Sequence, residues 1–569
     1  MNRPRPDRSA EATQAPQLAS ALDAFFAWYY RTHPVSATFV GVHDHDHVLP
    51  DASPDGIRRA RDGLEELRAR FRRLPSEPMS GAERVDRLLA EGALDVQAWE
   101  FAGSHFWSGN PCLYTGEAIF GVIALLLRPF APLEERAAAA VERMQAIPLF
   151  LRQARENVRL APRAWTARAI RECDGALALL GTGLEIFAHD EGVAVPDEWP
   201  AAAGAAAVAF RDFRAYLATE LQIRGTDHYA SGPEAFDLLL RRGHFLNLNA
   251  DALLALGREH LSRAEEELRE RASALAVRDW REGLQRLPEL HPPVQAYYQR
   301  FGEVWRGARA AAHAHGLVSW PEYPIRFVSQ PRWAREAAPH LYFLFYRAPA
   351  AYDHLPVVDY HVPPVEPEMP AEEQRRRLRA TNESVIKLNH VVHHGGLGHH
   401  VQNWYAYHRA ASRIGRMAAV DCAGRIALFC GGTMAEGWAC YATDLMEEVG
   451  FLTPLERLAH AHSRLRMAAR AIADVQLHTG SWSLGETAAF YRDTAGLAPD
   501  AAEAEAVKNS MFPGTALMYL CGTAQIHDLR REMQGRSGFD LRRFHDRWLS
   551  YGSLPAALAA GEMRRVDSI

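Results

Sequence analysis

The sequence predicts a mainly α-helical fold that carries one small antiparallel sheet. Apolar residues recur at intervals of three and four over most of the 569 residues, which is the spacing of amphipathic helices. Between about 317 and 366 the pattern changes to short aromatic and β-branched segments separated by prolines, which are typical of strands. The hydrophobic fraction of 48% is ordinary for a globular protein and provides a core for these elements.

Helical segments fill the first half of the chain. Residues 21–33 (ALDAFFAWYYRTH) and 53–74 (SPDGIRRARDGLEELRARFRRL) both show helical spacing. Ser53 before Pro54 gives the second segment an N-cap and a proline in its first turn. Further amphipathic segments lie at 81–103, 133–158, 163–189, 201–223 and 250–275.

The predicted strands come next, and helices follow them. The strand segments are 316–331, 340–350 and 355–365. Helical spacing returns at 371–394, 433–449, 454–479, 484–495 and 540–550. Capping boxes begin two of these helices, at Thr453-Pro-Leu-Glu456 and Ser483-Leu-Gly-Glu486, because a Ser or Thr and the Glu three residues later satisfy backbone N–H groups.

The predicted domain organisation is one continuous unit with a short tail. The opening MNRPRPDRSAEATQAPQ is polar and has no apolar stretch behind its arginines, so we interpret 1–18 as a disordered N-terminal tail rather than a signal peptide. No fixed-period repeat or long low-complexity linker divides the rest. We expect a helical N-terminal part at 19–316 and, at 317–569, a part that holds the sheet, several helices and the functional site.

Charge and composition argue against several classes of partner. The net charge is −6 without a basic stripe, which argues against nucleic acid. No apolar run reaches the roughly 18 residues of a membrane span. The six cysteines form no CxxC pair, which indicates a reduced protein, and we expect a cytoplasmic location. The expected partner is a small-molecule or short peptide-like substrate, and a homodimer is left open.

A histidine cluster is the strongest functional signal. Five histidines occur in the eleven residues from His390 to His400. Neutral imidazole is the commonest side-chain ligand of zinc and similar metals. The glycines among them, Gly395, Gly396 and Gly398, would each cost a regular helix about 1 kcal/mol. A locally unwound helix that brings imidazoles to one metal ion explains this pattern better than a solvated histidine patch.

The spacing leaves two ligand sets open. His393 and His400 are seven residues apart, so a regular helix returns them almost to the same face, whereas His399 would face away. The glycines make a regular helix doubtful, and we expect His393 with one of His399 and His400 as ligands. Glu436, near the start of the helix predicted at 433–449, is the candidate third ligand because the helix dipole favours a carboxylate there. Zinc is the expected divalent ion, with iron or manganese as alternatives.

Two motifs resemble those of a known family. The segment from His393 to Gln402 (HHGGLGHHVQ) corresponds to His-Glu-x-x-Pro-Gly-His-His-x-Gln, and the segment from Glu436 to Tyr441 (EGWACY) corresponds to Glu-Gly-Trp-Ala-x-Tyr. These are the marks of the bacterial domain-of-unknown-function 885 family, which this chain resembles over most of its length. That family resembles helical zinc peptidases of the HExxH-plus-Glu class. The resemblance implies a metallopeptidase-like helical shell around a deep cleft with the metal on its floor.

The chain departs from the family pattern at the site. His394 occupies the position of the glutamate that acts as general base, and Leu397 replaces the proline. Lys508-Asn509 stands where the family has Arg-Tyr before Pro-Gly. Three roles for His394 are open: a general base, an additional metal ligand, or a remnant in a site that only binds.

Several other residues are candidates for the site. Lys508 is one of only two lysines among 64 Lys+Arg, the other being Lys387, and a lysine can act as a base. Tyr519 resembles the late tyrosine that stabilises an oxyanion in helical metallopeptidases. Arg470, Asp474 and His478 are spaced four residues apart and therefore form a polar stripe on one helix. The family resemblance implies that this stripe lines the cleft. The spacing alone fits an exposed ion pair with an additional histidine.

The sequence therefore supports three functional hypotheses. The first is a metal-dependent hydrolase of an amide, peptide-like or related small-molecule bond, in which a metal-bound water is the nucleophile, His394 assists, and Tyr519 or Lys508 holds the developing charge. The second is a non-hydrolytic metalloenzyme, a lyase or an iron or manganese enzyme, in which His394 is a ligand and Lys508 a base. The third is a non-catalytic binding protein on the same fold.

Overall fold

Helices make up most of the chain in this computed structural model, which describes residues 16–75, 79–191, 195–341, 350–353, 355–417, 421–422, 425–426 and 431–566. The predicted mainly α-helical fold is confirmed. The first helices are α1 (Pro16–Thr32), α2 (Pro34–Val40), α3 (Pro54–Arg72), α4 (Gly81–Ala102), α5 (Pro111–Leu127), α6 (Leu133–Asn157), α7 (Arg163–Ala178), α8 (Leu184–Glu191), α9 (Trp199–Tyr216), α10 (Gln222–Arg224), α11 (Pro233–Leu238), α12 (Ala250–Ala274), α13 (Trp280–Gln285) and α14 (Tyr297–Ala314). The later helices are α15 (Ala371–Ala380), a π-helix (Val385–Gly395), α16 (His399–Arg409), α17 (Gly432–Glu448), α18 (Pro454–His478), α19 (Leu484–Asp493), α20 (Pro499–Met511), α21 (Met518–Gln534), α22 (Leu541–Leu549) and α23 (Ala556–Val566).

Local signals determine where several of these helices begin. The Ser53 side chain accepts a hydrogen bond from Gly56 N at the start of α3. Both hydrogen bonds of the predicted capping boxes are present at Thr453, before α18, and at Ser483, before α19. Helix α1 begins at Pro16, inside the predicted tail, and residues 1–15 lie outside the described part of the chain. Among the described helices, none combines the length and apolar character that crossing a membrane requires.

The small sheet upstream of the histidines is parallel. Strands β1 (Ile325–Ser329) and β2 (Val358–Val362) pair in the same direction, with Ile325 opposite Val358. The antiparallel prediction is therefore wrong for the described strands, and the connection between Ser329 and Val358 is long enough for the crossover that a parallel pair requires. The middle predicted strand, 340–350, falls almost wholly outside the described residues. A short antiparallel pair follows later, at β3 (Asp421–Cys422) and β4 (Arg425–Ile426).

The helices enclose two large hydrophobic cores. One core is built mainly by α5, α6, α7 and α9. The other contains Phe25 of α1, Tyr297 of α14 and Trp438 of α17, so it draws on both predicted parts of the chain. Val391 and Val392 of the π-helix are fully buried in this second core. That burial fixes the π-helix, and with it the histidines that immediately follow Val392.

Candidate metal centre

The histidines lie at the end of the π-helix. The hydrogen bonds of a π-helix join residues five apart, so its turn is wider than that of an α-helix, and such turns are frequent at functional sites. The rings of the successive residues His393 and His394 stand 4.6 Å apart, centre to centre. One turn earlier, Tyr360 Oη of β2 lies 2.7 Å from His390 Nδ1, which ties the sheet to the same helix.

Glycines break the helix between the histidine pairs. Gly396 (φ −129°, ψ −121°) and Gly398 (φ −73°, ψ −117°) leave the helical region before α16 begins at His399. A Cβ atom on Gly398 would lie 2.0 Å from the His393 carbonyl oxygen, so no other residue fits there. The break turns His399 toward His393, and their rings stand 4.8 Å apart, centre to centre, with an interplanar angle of 89°.

A glycine contact positions Glu436 opposite these rings. A Cβ atom on Gly437 would lie 2.5 Å from the backbone of Gly522, so α17 and α21 cross in direct backbone contact beside Glu436. Trp438 Nε1 donates a hydrogen bond of 2.8 Å to Leu397 O, which joins α17 to the glycine break. Helix α17 is thereby fixed on two sides, with Glu436 facing the histidines.

Three ligand atoms converge at this point. Glu436 Oε2 lies 3.3 Å from His393 Nε2 and 3.6 Å from His399 Nε2. Zn–N and Zn–O bonds of 2.0–2.2 Å in tetrahedral geometry separate two ligand atoms by about 3.4 Å, which matches these distances. Glu436 Oε2 is buried and accepts no hydrogen bond from the described residues. Buried carboxylate oxygens are normally hydrogen-bonded or bound to a cation, so the three residues fit a divalent metal ion.

His394 completes a group of three imidazoles. Its ring nitrogen and those of His393 and His399 lie within 4.8 Å of one another. His394 Nδ1 lies 2.8 Å from Asn389 O, and a carbonyl can only accept, so Nδ1–H donates and Nε2 carries the lone pair. Burial, and then the neighbouring charges of His393 and His399, hold the pKa of His394 well below its usual value. The imidazole is therefore neutral, as either a ligand or a proton acceptor requires.

Glu436 is ionised beside these rings. Burial alone raises the pKa of its carboxyl group, but the adjacent His399 and His393 outweigh that effect and hold the pKa well below its usual range. Burial lowers the pKa of His393, and contact with Glu436 opposes that shift. An ionised carboxylate oxygen therefore faces the ring nitrogens of two histidines, which is an arrangement that attracts a cation.

His400 lies outside this group. Its ring stacks on Tyr323 at 4.8 Å, and its Nε2 lies 2.8 Å from Tyr323 O. Burial lowers the pKa of His400 to about 4. The structure thus brings His399, and not His400, to His393, because the chain turns at Gly396 and Gly398 instead of continuing a regular helix.

Arg470, Lys508 and Tyr519 form a second polar group. Arg470 Nε donates a hydrogen bond of 2.6 Å to Glu505 Oε1, and its guanidinium carbon lies 4.9 Å from the centre of the Tyr519 ring. Although burial raises the pKa of Glu505, the charges of Arg470 and Lys508 bring it to about 2. Tyr519 lies on α21, which crosses α17 at Gly437, the residue after Glu436, so this group lies near the metal centre.

Asp474 and His478 hold the backbone instead. Asp474 is fully buried and accepts hydrogen bonds from Gly514 N at 2.9 Å and Leu517 N at 3.0 Å. His478 is also fully buried, and its Nε2 donates to Asn509 O at 2.9 Å. Asp474 thus fixes the segment between α20 and α21, and His478 fixes the C-terminal end of α20. The two residues are therefore positioning residues rather than an exposed ion pair or a face of the metal centre.

Two charged residues beside the second polar group, Arg466 and Glu505, were not predicted from the sequence. Arg466 lies one helical turn before Arg470, and Glu505 lies three residues before Lys508. Their spacing from predicted residues was the available signal. It could not be used without knowing that α18 and α20 pack against each other.

The chain matches a family profile and several solved structures. A family profile described as "Bacterial protein of unknown function (DUF885)" matches residues 34–563. A "putative lipoprotein of unknown function" from Shewanella oneidensis shares 22% identity with a TM-score of 0.76, over 97% of this chain and 100% of that one. A "putative lipoprotein" from Colwellia psychrerythraea shares 15% identity with a TM-score of 0.76, over the same shares of the two chains. These identities establish a common fold alone, and no curated protein matches the chain.

Proposed function

The chain belongs to the DUF885 family of bacterial proteins of unknown function, and we propose that it is a metal-dependent hydrolase. Its substrate contains an amide, a peptide-like bond or a related small-molecule bond. The observation that supports this proposal most directly is the separation of 3.3 and 3.6 Å between Glu436 Oε2 and the Nε2 atoms of His393 and His399. Three protein ligands leave one position of a tetrahedral zinc ion open, which is the arrangement of catalytic zinc sites.

The three ligand residues and His394 have different roles in this proposal. His393, His399 and Glu436 hold the ion. When bound, a divalent ion such as Zn²⁺ polarises a carbonyl group and activates water at neutral pH. His394 accepts a proton at Nε2, because its Nδ1–H is committed to Asn389 O. An imidazole thus takes the role that a glutamate has in the family motif.

The negative charge that develops on the carbonyl oxygen of the substrate needs a further group to stabilise it. Tyr519 and Lys508 are the candidates for this role, since a hydroxyl donor or an ammonium group near the carbonyl oxygen stabilises an oxyanion. Arg470 stacks on the Tyr519 ring and restricts its position.

A second candidate function rests on the position of His394. Its ring nitrogen is within 4.8 Å of those of His393 and His399, close enough for it to be a ligand as well. Three imidazoles and one carboxylate suit iron or manganese. The chain would then be a non-hydrolytic metalloenzyme, with Lys508 as the base.

Metal analysis and turnover of matched variants test both candidates. The untagged protein, His393→Ala and His408→Ala are compared for metal content by mass spectrometry and for hydrolysis of a panel of acyl amino acids and dipeptides. His408 is the control because it is exposed on α16. We expect one zinc ion per chain and turnover in wild type and His408→Ala, and neither in His393→Ala. Bound zinc without turnover on any amide or ester contradicts the hydrolase.

His394→Gln then separates the two roles of His394. Loss of a general base lowers turnover by about 100-fold or more and leaves the metal bound. Loss of a ligand releases the metal. Bound iron or manganese in the wild type, together with metal loss in His394→Gln, supports the second candidate instead.

A further inference from the structure

A basic cluster lies beside the metal centre. We use that name for Arg466 and Arg470 of α18 and Lys508 of α20. The two arginines are four residues apart and therefore lie on one face of α18. Arg470 reaches across to α20 through its hydrogen bond to Glu505 Oε1. Lys508 follows Glu505 by three residues, on the same side of α20.

The cluster has more positive than negative charge. Three cations face a single carboxylate, Glu505, which Arg470 already engages at 2.6 Å. Asp474, the next acid along α18, does not compensate the excess, because both of its oxygens accept backbone N–H groups. Among the described residues, the basic cluster therefore has more cationic than anionic side chains.

Arg466 is the clearest sign that an anion binds here. Its side chain is half-buried, and no hydrogen bond or ion pair joins its guanidinium to any residue in the described part of the chain. Burying a cation without a partner is unfavourable, and such groups in proteins are normally paired. The guanidinium has five N–H donors in a planar fork that matches an oxyanion.

The basic cluster is close to the metal centre. Tyr519, which packs under the Arg470 guanidinium, lies on α21, and α21 crosses α17 at Gly437, the residue after Glu436. Cys440, one helical turn after Glu436, packs in one buried cluster with the α18 residues that directly follow Arg466 and Arg470. One small molecule can therefore contact both groups.

We propose that the basic cluster binds a carboxylate of the substrate, which makes the substrate class acyl amino acids or short peptides with a free C-terminal carboxylate next to the scissile amide. This inference rests on the proposed hydrolase function for the reaction, but not for the binding. Hydrolysis breaks the C–N bond, adds the water oxygen to the acyl carbon and leaves the proton on the released amine. Phosphate sites commonly use backbone N–H groups at a helix N-terminus. All three cations lie beyond the first turn of their helices, which favours a carboxylate.

Direct binding tests the proposal without requiring turnover. The probes are N-acetyl-L-amino acids, the matching N-acetyl amino acid amides and inorganic phosphate, each titrated calorimetrically into the metal-loaded protein. We expect at least one acid to bind and its amide to bind about 10- to 100-fold more weakly, as the loss of charge-assisted hydrogen bonds predicts. Arg466→Gln weakens the acid by a similar factor.

Arg457→Gln is the matched control, since Arg457 lies on α18 outside the cluster and its one hydrogen bond to a described residue goes to Leu452 O. Arg466→Lys retains the charge but loses the planar fork of the guanidinium, so we expect it to bind the acid with intermediate affinity. It also replaces Arg466→Gln if that variant does not fold. The proposal is overturned if acids and amides bind alike, if no acid binds, or if phosphate binds more tightly than every acid. It is also overturned if Arg466→Gln and Arg466→Lys both bind like wild type.

His393→Ala separates this inference from the proposed function. This variant lacks the metal centre but keeps the basic cluster, so we expect it to bind the acid in preference to its amide. Binding that depends on Arg466 in a protein without any amide turnover supports the carboxylate site and rejects the hydrolase. Turnover that is equal for acids and amides supports the hydrolase and rejects the carboxylate site.

Discussion

Two regions of the molecule combine the same residue types with different results. In the metal centre, His393 and His399 lie 3.3 and 3.6 Å from Glu436. Around Asp444, which we call the Asp444 network, the Nε2 atoms of His460 and His527 lie 2.7 and 2.8 Å from its two carboxylate oxygens. Arg464 also donates to Asp444 Oδ1. Two histidines and one carboxylate are therefore not enough to indicate a metal site.

The two regions differ in whether the carboxylate oxygens already accept hydrogen bonds. Both oxygens of Asp444 accept hydrogen bonds, so nothing remains for a cation to satisfy. Although burial raises the pKa of Asp444, Arg464 and the two histidines outweigh it and hold that pKa far below its usual range. Glu436 Oε2 is buried without a hydrogen bond from the described residues. The N···O distances also differ. Around Glu436 they match two ligands of one tetrahedral ion, whereas around Asp444 they match N–H···O hydrogen bonds. This difference distinguishes a binding site from a structural network.

The largest expected effect is a loss of metal affinity when the metal centre, but not the Asp444 network, loses a histidine. His399→Ala removes a ligand, and we expect metal affinity to fall by about 1,000-fold or more, since even partners outside the ligand shell contribute 10–100-fold. Turnover falls with the metal. His527→Ala removes an imidazole from the Asp444 network and keeps one ion per chain. Metal content after dialysis against a weak chelator measures both. Equal metal loss in the two variants contradicts the distinction between the regions.

The next effect is on stability, and we expect it to be larger in the Asp444 network than in the metal centre. Asp444→Asn leaves Arg464 and two histidines without their buried anion, and we expect the metal-free protein to lose about 3 kcal/mol of unfolding free energy. Glu436→Gln in the metal-free protein is expected to cost less, because only histidines lie beside the Glu436 carboxylate among the described residues and its Oε2 accepts no hydrogen bond from them. Urea denaturation of both variants after metal removal measures the difference. A larger loss in Glu436→Gln would contradict the assignment of Asp444 as the structural carboxylate.

Sequence and structure agree best where local chemistry decides. The capping boxes at Thr453 and Ser483, and the helix ends they predict, depend on residues three apart. The choice between His399 and His400 could not be predicted, because it depends on the backbone angles of Gly396 and Gly398, which glycine leaves free. The direction of the small sheet also could not be predicted, since strand patterns do not specify how the connection between strands runs.

The polar stripe on α18 shows the same limit. Spacing alone puts Arg470, Asp474 and His478 on one face of the helix. Whether that face meets solvent, a cleft or another backbone depends on the packing of the segment between α20 and α21. That segment contacts Asp474 and lies far away in sequence.

A buried histidine with backbone partners gives a smaller, pH-dependent effect. Burial lowers the pKa of His478 to about 3, against an unfolded value near 6.5. A depressed folded pKa means that the stability is fully present above pH 6.5 and is lost as pH falls toward 3. At pH 5 the expected loss relative to pH 7 is about 2 kcal/mol from this residue. His478→Gln keeps an N–H donor for Asn509 O and should lose less between these pH values.

Urea midpoints of the metal-free protein at pH 7 and pH 5 measure this effect. His408→Gln is the control, because His408 is exposed and its replacement should leave the pH dependence of the wild type unchanged. If His478→Gln shows the full pH dependence of the wild type, His478 is not the neutral group that its contacts indicate.

The smallest expected effect concerns Glu505, the carboxylate that the basic cluster faces. Like Asp444 it is paired with an arginine, but unlike Asp444 it is outnumbered by cations. Glu505→Gln frees Arg470 for the substrate carboxylate, so we expect an N-acetyl amino acid to bind more tightly by less than about tenfold, which corresponds to under 1.4 kcal/mol. Glu503→Gln, on the exposed face of α20, should leave binding unchanged. Calorimetric titration compares the two variants. Weaker binding in Glu505→Gln, with Glu503→Gln unaffected, means that Glu505 organises the arginines instead of competing for them.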